Sequence, residues 1–170
     1  LANDGVALAP YHDFESKVTP ELQGEPDVVL LVTGPWERND HERYGRTVGP
    51  GDARWEDELR GLLRKRLDTL TSTGARVALW AEPCSRTADQ RRRERWFVDA
   101  ILTPVAEERP DAVVVDGSDL VCRDGRARTD VPGVGDPRPD DGQHWSPAGA
   151  AWLWRTWLGP ELARVGAGED

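Results

Sequence analysis

The residues best suited to chemistry lie near the end of the chain, in the segment DDGQHW at positions 140–145. Asp141 comes three residues before His144, in a turn-prone stretch just ahead of a helix start. At this spacing the carboxylate can bend back onto one imidazole nitrogen and fix the tautomer, so that the other nitrogen can take a proton from a nucleophile. The pair therefore predicts a general base. The alternative that these six residues leave open is a turn aspartate beside a packed histidine.

The rest of the chain alternates between segments that favour strands and segments that favour helices. Continuous apolar runs are typical of strands buried on both faces, and amphipathic segments are typical of helices. A last helix starts where Ser146 can cap it and Pro147 takes its first position. The predicted strands are 27–34, 76–82 and 111–117, and the predicted helices are 52–73, 87–108 and the segment from 147. This order indicates an α/β protein with a parallel sheet between helices, in one domain over residues 1–170.

Two long loops, 35–51 and 118–143, each follow the carboxyl end of a predicted strand. Open α/β sheets bind their ligands at this edge, so we expect a functional site there, and Asp141 lies in the second loop. The arginine-rich run 86–96 is interpreted as a solvated helix face with intrahelical ion pairs.

The charge balance limits the class of partner. A formal net charge of −9 and a pI near 4.9 argue against a nucleic acid or an anionic membrane surface, because both favour clustered Lys and Arg. A neutral or sugar-like ligand fits better. No apolar run approaches the roughly 18 to 20 residues of a membrane span, so we expect a soluble chain.

The two cysteines, Cys84 and Cys122, each follow a predicted strand. If these strands are neighbours, both thiols emerge at the same sheet edge and can reach disulfide distance, whereas two separate buried thiols are the alternative. Neither cysteine has a neighbouring Cys or His in sequence, so no zinc site is predicted.

Several motifs resemble those of the SGNH (GDSL-like) hydrolase superfamily. The run of Asp141, two residues, His144 and then Ser-Pro-x-Gly is similar to the last motif block of this superfamily. Another block, in which a strand ends in Gly-x-Asn-Asp, resembles VVLLVTGPWERND; with Gly34 aligned, Trp36 stands at the Asn position and Glu37 at the acidic position. This Gly-x-Trp-Glu version, with a later Pro-Cys and a further Cys, resembles the SGNH domains attached to bacterial membrane O-acyltransferases.

The resemblance implies a three-layer, flavodoxin-like SGNH fold and Ser-His-Asp chemistry on acyl esters, commonly the acetyl esters of cell-surface carbohydrate. His144 would act as general base and Asp141 would orient it. Gly34, Trp36 and Glu37 would line the oxyanion hole and substrate site, where the indole N–H of Trp36 is a donor that can replace an amide.

The same resemblance implies no metal and no organic cofactor. It implies an extracytoplasmic location, either secreted or tethered through an upstream region, in which a Cys84–Cys122 disulfide would persist. The implied partners are an acyl-ester or carbohydrate substrate and a fused or associated membrane acyltransferase, with no nucleic acid.

The Gly-Asp-Ser block that holds the nucleophile in this superfamily is not among the 170 residues. We therefore expect a domain that lacks the first strand of the fold and is N-terminally incomplete, with Asn3 and Gly5 as remnants of the second block. Two other functions stay open. One is a secreted esterase without a transferase partner, and the other is a carbohydrate-binding or scaffolding module that keeps the fold without the chemistry.

Overall fold

The structure, a computed structural model, describes residues 14–34, 36–81 and 84–169, so Asn3 and Gly5 lie outside the described residues. The strands are β1 (Val28–Val32), β2 (His41–Arg43), β3 (Arg46–Val48), β4 (Arg76–Ala81), β5 (Ala112–Asp116), β6 (Cys122–Arg123) and β7 (Arg126–Ala127). The helices are α1 (Phe14–Leu22), α2 (Ala53–Leu70), α3 (Ala88–Phe97), α4 (Thr103–Glu107), α5 (Ser118–Val121), α6 (Pro147–Leu153) and α7 (Gly159–Gly166). π-helical turns, Val98–Leu102 and Trp154–Leu158, join α3 to α4 and α6 to α7.

The three predicted strands form one parallel sheet in the order β1-β4-β5. Val28 lies opposite Arg76, and Val77 lies opposite Ala112. The α/β class and the parallel sheet are therefore confirmed. Because all three strands run in the same direction, their carboxyl ends meet at one edge, and both long loops start from that edge.

Helices cover both faces of the sheet. Successive side chains of a strand point to opposite faces, so an apolar strand contributes to a separate core on each face. Along β4, Val77 and Leu79 enter a core shared with α2 and the α3–α4 helix. Ala78 and Trp80 enter a second core shared with α6 and α7. The result is a three-layer arrangement, in which β4 is apolar at every position after Arg76 because the side chains on both of its faces are buried.

The helix α2 shows how the local sequence sets its ends and its buried face. Asp52 caps its start by accepting a hydrogen bond from the Trp55 amide at 3.1 Å. Trp55, Leu59 and Leu63 follow at intervals of four residues and are completely buried. The helix ends at Leu70, a few residues before the predicted end, and Gly74 adopts a φ of 91° in the turn that leads to β4.

The start of α6 matches its sequence signals. Ser146 accepts a hydrogen bond from the Gly149 amide at 3.0 Å, and Pro147 takes the first helical position. Gly149 lies so close to Pro137 that an added Cβ would overlap the Pro137 carbonyl oxygen. The same carbonyl accepts a hydrogen bond from the Ser146 amide at 2.9 Å. The helix start and the loop before it are therefore packed together as one unit.

The two long loops contain short regular elements that the sequence did not reveal. The first contains a 3₁₀ turn at Trp36–Arg38 and the antiparallel hairpin β2–β3. The second contains α5 and the antiparallel hairpin β6–β7. The segment from 128 to 146 that carries the Asp-His pair has no strand or helix, apart from an isolated bridge between Val131 and Gly135.

A disulfide joins Cys84 to Cys122, with 5.8 Å between their Cα atoms, so the bridged alternative is confirmed. Cys84 follows β4 and Cys122 begins β6, and the bridge therefore ties the second long loop to the carboxyl edge of the sheet. Across the described residues, every helix is too short or too polar to cross a bilayer.

Candidate functional site

The structure brings Asp141 and His144 together as the spacing predicts. The Asp141 Oδ2 atom lies 2.6 Å from Nδ1 of His144. The other carboxylate oxygen accepts the backbone N–H groups of Gln143, at 2.8 Å, and of His144, at 2.9 Å. One turn of chain therefore holds the carboxylate with three hydrogen bonds and presents it to the imidazole in a fixed orientation.

These contacts determine the protonation of the pair. The backbone N–H groups of His144 and Gln143, followed by the imidazole, hold the pKa of Asp141 well below its usual range. An ionised carboxylate only accepts hydrogen bonds, so the Nδ1 atom of His144 must carry the proton. In the neutral imidazole, Nε2 is then the nitrogen that can accept a proton. The His144 side chain is 86% exposed, which makes it accessible to a reacting group.

Gly34, Trp36 and Glu37 lie just beyond the carboxyl end of β1, which is the sheet edge where the resemblance puts them. The Trp36 side chain is 41% exposed and packs at a tilt against His41, with 4.1 Å between the ring centroids and 51° between the ring planes. Nε2 of His41 lies 2.8 Å from the Trp36 carbonyl oxygen, which holds the two residues together. The exposed part of the Trp36 side chain is accessible to a ligand.

Glu37 is completely buried, and its Oε2 atom would lie 3.7 Å from a Cβ added to Gly34. The Glu37 side chain thus folds back under the turn. This position suits a residue that shapes the loop rather than one that touches substrate.

The loop after β1 and the loop of the Asp-His pair meet at a small polar cavity of about 30 Å³. Asn39 comes from the first loop, Gln143 from the second, and Ser85 from the segment after β4. The remaining lining residues are Arg38, Gln90, Arg93 and Glu94. The cavity has room for a single water molecule, and it lies between the two loops that carry the predicted site residues, although none of those residues lines it.

The polar side of α3 organises these loops, which the sequence interpretation missed. Arg92 and Arg93 do pair with Asp89 within the helix, as predicted. However, Arg93 also donates to the Arg38 carbonyl at 2.9 Å and pairs with Asp40 at 2.7 Å. The interpretation of a fully solvated face is therefore incomplete.

Glu94 is the clearest departure from that interpretation, because it is only 5% exposed. Its carboxylate accepts the Ser85 amide at 3.0 Å and the Ser85 hydroxyl. Glu94 lies three residues before Phe97 and seven before Ile101, and both of these are buried. A carboxylate on the apolar stripe of a helix was the signal that could have identified this contact.

The side chains of three serines at the sheet edge already take part in hydrogen bonds. The Ser85 hydroxyl donates to Glu94, the Ser118 hydroxyl donates to Asp116 at 2.5 Å, and Ser146 caps α6. Among the described residues, no group of three or more His, Cys, Asp or Glu side chains is arranged to hold a metal ion.

A larger cavity of about 400 Å³ opens at the carboxyl ends of β4 and β5. Ala81, Val98 and the Cys84–Cys122 bridge supply apolar surface, and Arg91, Arg95, Asp99 and Asp116 are among the charged residues that line it. Its size is within the range of small-molecule sites, and its mixed lining suits a polar ligand of modest size.

No protein-family model matches the sequence, and no curated protein matches it. The fold and the site define an α/β protein with a preformed, exposed Asp-His pair at the carboxyl edge of its parallel sheet.

Proposed function

We propose that this chain is an SGNH-type domain that performs acyl-ester hydrolysis or O-acyl transfer on cell-surface carbohydrate. The observation that supports this proposal most strongly is the Asp141–His144 pair, in which Nδ1 is bound to an ionised carboxylate and the imidazole is exposed. This is the arrangement of the base and its orienting acid in Ser-His-Asp chemistry.

In the proposed reaction, Nε2 of His144 takes the proton of a serine hydroxyl as the oxygen attacks the ester carbonyl carbon. The imidazolium that forms is stabilised by Asp141 and then protonates the departing alcohol, which leaves an acyl-serine. In the second step His144 takes a proton from water, in hydrolysis, or from a sugar hydroxyl, in transfer, as that oxygen attacks the acyl-serine carbonyl carbon. The imidazolium then returns the proton to the serine oxygen as the acyl–serine bond breaks, which releases the carboxylic acid or the new ester. The nucleophile in this proposal is a serine other than Ser85, Ser118 and Ser146, whose side chains take part in hydrogen bonds at the sheet edge.

The tetrahedral intermediate of each step carries an oxyanion that needs hydrogen-bond donors. The Gly34 amide and the Trp36 indole N–H are our candidates, because both follow β1 at the same sheet edge as the pair. Trp36 has a second candidate role, since an exposed indole can stack against a sugar ring.

The disulfide supports a proposal for the location. A Cys84–Cys122 bridge persists in oxidising compartments and is rarely kept in the cytosol, so we propose an extracytoplasmic domain. The proposed partner, a fused or associated membrane acyltransferase, rests on the sequence resemblance alone.

A second candidate function is carbohydrate binding without chemistry. The exposed Trp36 supports it, because aromatic rings with a free outer side are suited to sugars. Tyr44 is less suitable, since the guanidinium of Arg54 already covers its ring at 3.7 Å from the centroid.

Acetate release from an acetylated oligosaccharide tests the proposal, with the intact protein from its source as the enzyme. We expect His144→Gln to lower turnover by at least about 10³-fold, because the base is removed. Asp140→Asn is the matched control, since the Asp140 side chain makes no hydrogen bond or ion pair among the described residues. Equal turnover in wild type and His144→Gln would contradict the proposal. Retained oligosaccharide binding with no acetate release from any form would favour the binding module.

A further inference from the structure

The loop that carries Asp141 is held by an arginine from the segment between β4 and α3. Arg86 follows the disulfide-bonded Cys84, just before α3. Its Nη2 atom donates to Asp136 Oδ2 at 2.7 Å, to the Pro139 carbonyl at 3.4 Å and to the Arg138 carbonyl. One guanidinium nitrogen therefore forms hydrogen bonds to three oxygen atoms within the four-residue segment 136–139 of the loop.

The loop also packs directly against the side chain of Arg86. Gly142, which lies between the two residues of the pair, is buried and has a φ of 76°. A Cβ added to Gly142 would lie 2.5 Å from Cγ, Cδ and Nε of Arg86. Only glycine combines this backbone conformation with such a close approach, so the turn that joins Asp141 to His144 is shaped around the arginine stem.

The contact is reciprocal, because an arginine of the loop also binds the segment that carries Arg86. Arg138, at 2% exposed, donates from Nη2 to the Cys84 carbonyl at 2.9 Å. Arg91 of α3 donates to the carbonyl groups of Ser85, at 3.0 Å, and Arg86, at 2.7 Å. The backbone from which Arg86 projects is thus fixed by α3, by Arg138 and by the disulfide.

We propose that Arg86 is a positioning residue for the Asp141–His144 pair, a role that rests on the proposed function of the pair as general base. The pair lies in a long segment with little regular structure, and such segments sample many conformations unless other contacts restrain them. Arg86 supplies the restraint and holds the imidazole where the nucleophile can reach it. Its acceptors are carbonyl groups and Asp136, so it acts through the loop and not on the substrate.

The test uses two readouts on Arg86→Ala, with Arg92→Ala as control because the Arg92 side chain is 64% exposed and pairs with Asp89. The first readout is the imidazole ¹⁵N spectrum of His144, which reports the Nδ1-protonated tautomer. The second is acyl-ester turnover by the intact protein. We expect Arg86→Ala to give an exchange-broadened mixture of tautomers and a kcat about 10- to 100-fold lower at unchanged KM, because misplacement of a reacting group by about 1 Å has an effect of this size. Arg92→Ala is expected to match wild type in both.

Gly142→Ala provides a second variant that does not depend on removing a charge. Alone, it is expected to disturb the His144 spectrum, because the new methyl group meets Arg86. In the Arg86→Ala background the overlap with the arginine stem is removed while the unfavourable φ of residue 142 stays, so we expect the added effect of the methyl group to be smaller than its effect alone but not zero. A wild-type His144 spectrum in Arg86→Ala would overturn the proposal. If wild type shows no turnover while the spectra change as expected, Arg86 still holds the Asp141–His144 pair in place, and the proposed function of the pair as general base fails.

Discussion

Asp141→Asn tests the role of the carboxylate with a minimal change in shape. The Asn carbonyl oxygen can keep the two backbone N–H groups of Gln143 and His144 that Asp141 Oδ1 now accepts. The amide nitrogen then faces His144 Nδ1 in place of Oδ2, and it donates where the carboxylate accepted. We therefore expect the loop to keep its conformation while the imidazole moves its proton from Nδ1 to Nε2.

The size of the expected loss in kcat depends on how exposed the side chains of the pair are. An imidazole in the wrong tautomer lowers kcat by about 10⁴-fold in a buried Ser-His-Asp site. The side chains of His144 and Asp141 are 86% and 48% exposed, so water competes for Nδ1 and weakens the preference for one tautomer. We therefore expect a loss of about 10²- to 10⁴-fold in kcat.

The assay combines imidazole ¹⁵N shifts with acyl-ester turnover at a pH where His144 is neutral. Asp140→Asn removes the neighbouring carboxylate and is expected to leave both readouts unchanged. The reasoning is refuted if Asp141→Asn retains the Nδ1-protonated tautomer, or if the tautomer changes while kcat stays within about threefold of wild type.

Three further predictions concern the elements that hold the site. Ser146→Ala should lower the free energy of unfolding by about 1 kcal/mol through loss of the α6 cap, whereas Ser146→Asp should keep most of it; equal losses in a urea titration would contradict the capping role. Replacing Cys84 and Cys122 together by serine removes a link that spans 38 residues and should lower the free energy of unfolding by about 4 kcal/mol. A loss below about 1 kcal/mol would mean that the bridge does not restrain the chain. In wild type, the denatured and non-reduced protein should show no free thiol. The Asp141 carboxyl pKa, read from ¹³C shifts, should lie below the ordinary value of about 3.9 and stay lowered in His144→Ala, because backbone N–H groups are its main cause. Since the folded pKa is the lower one, the stabilisation from Asp141 is present above about pH 4 and is lost as the pH falls through the folded value; a rise to the ordinary pKa in His144→Ala would refute this cause.

The parts of the structure that could be predicted from the sequence depend on neighbours along the chain. A parallel sheet packed between two layers of helices needs continuous apolar runs, so β1, β4 and β5 were recognisable. Ser146 caps a helix through an amide three residues later, and Asp141 reaches an imidazole three residues later. Each of these contacts is encoded within a few positions.

The supports of the site could not be predicted in the same way, because they join residues far apart in sequence. Arg86 and Gly142 are separated by 56 positions, and no local pattern links an arginine to a distant glycine. Arg93 and Arg38 are similarly remote, and the charged run that contains Arg93 satisfies the ordinary pattern of a solvated helix. Glu94 was the exception, since a carboxylate on the buried stripe is a local signal.

The most direct test of the central claim is the reaction of the intact protein, isolated from its source, with a fluorophosphonate that labels serines activated by a general base. We predict a single phosphonylated serine by mass spectrometry, and we predict that His144→Gln slows its formation by at least about 10³-fold. Labelling at the same rate in wild type and His144→Gln, or no labelled serine in the active wild-type preparation, would contradict the assignment of His144 as the general base.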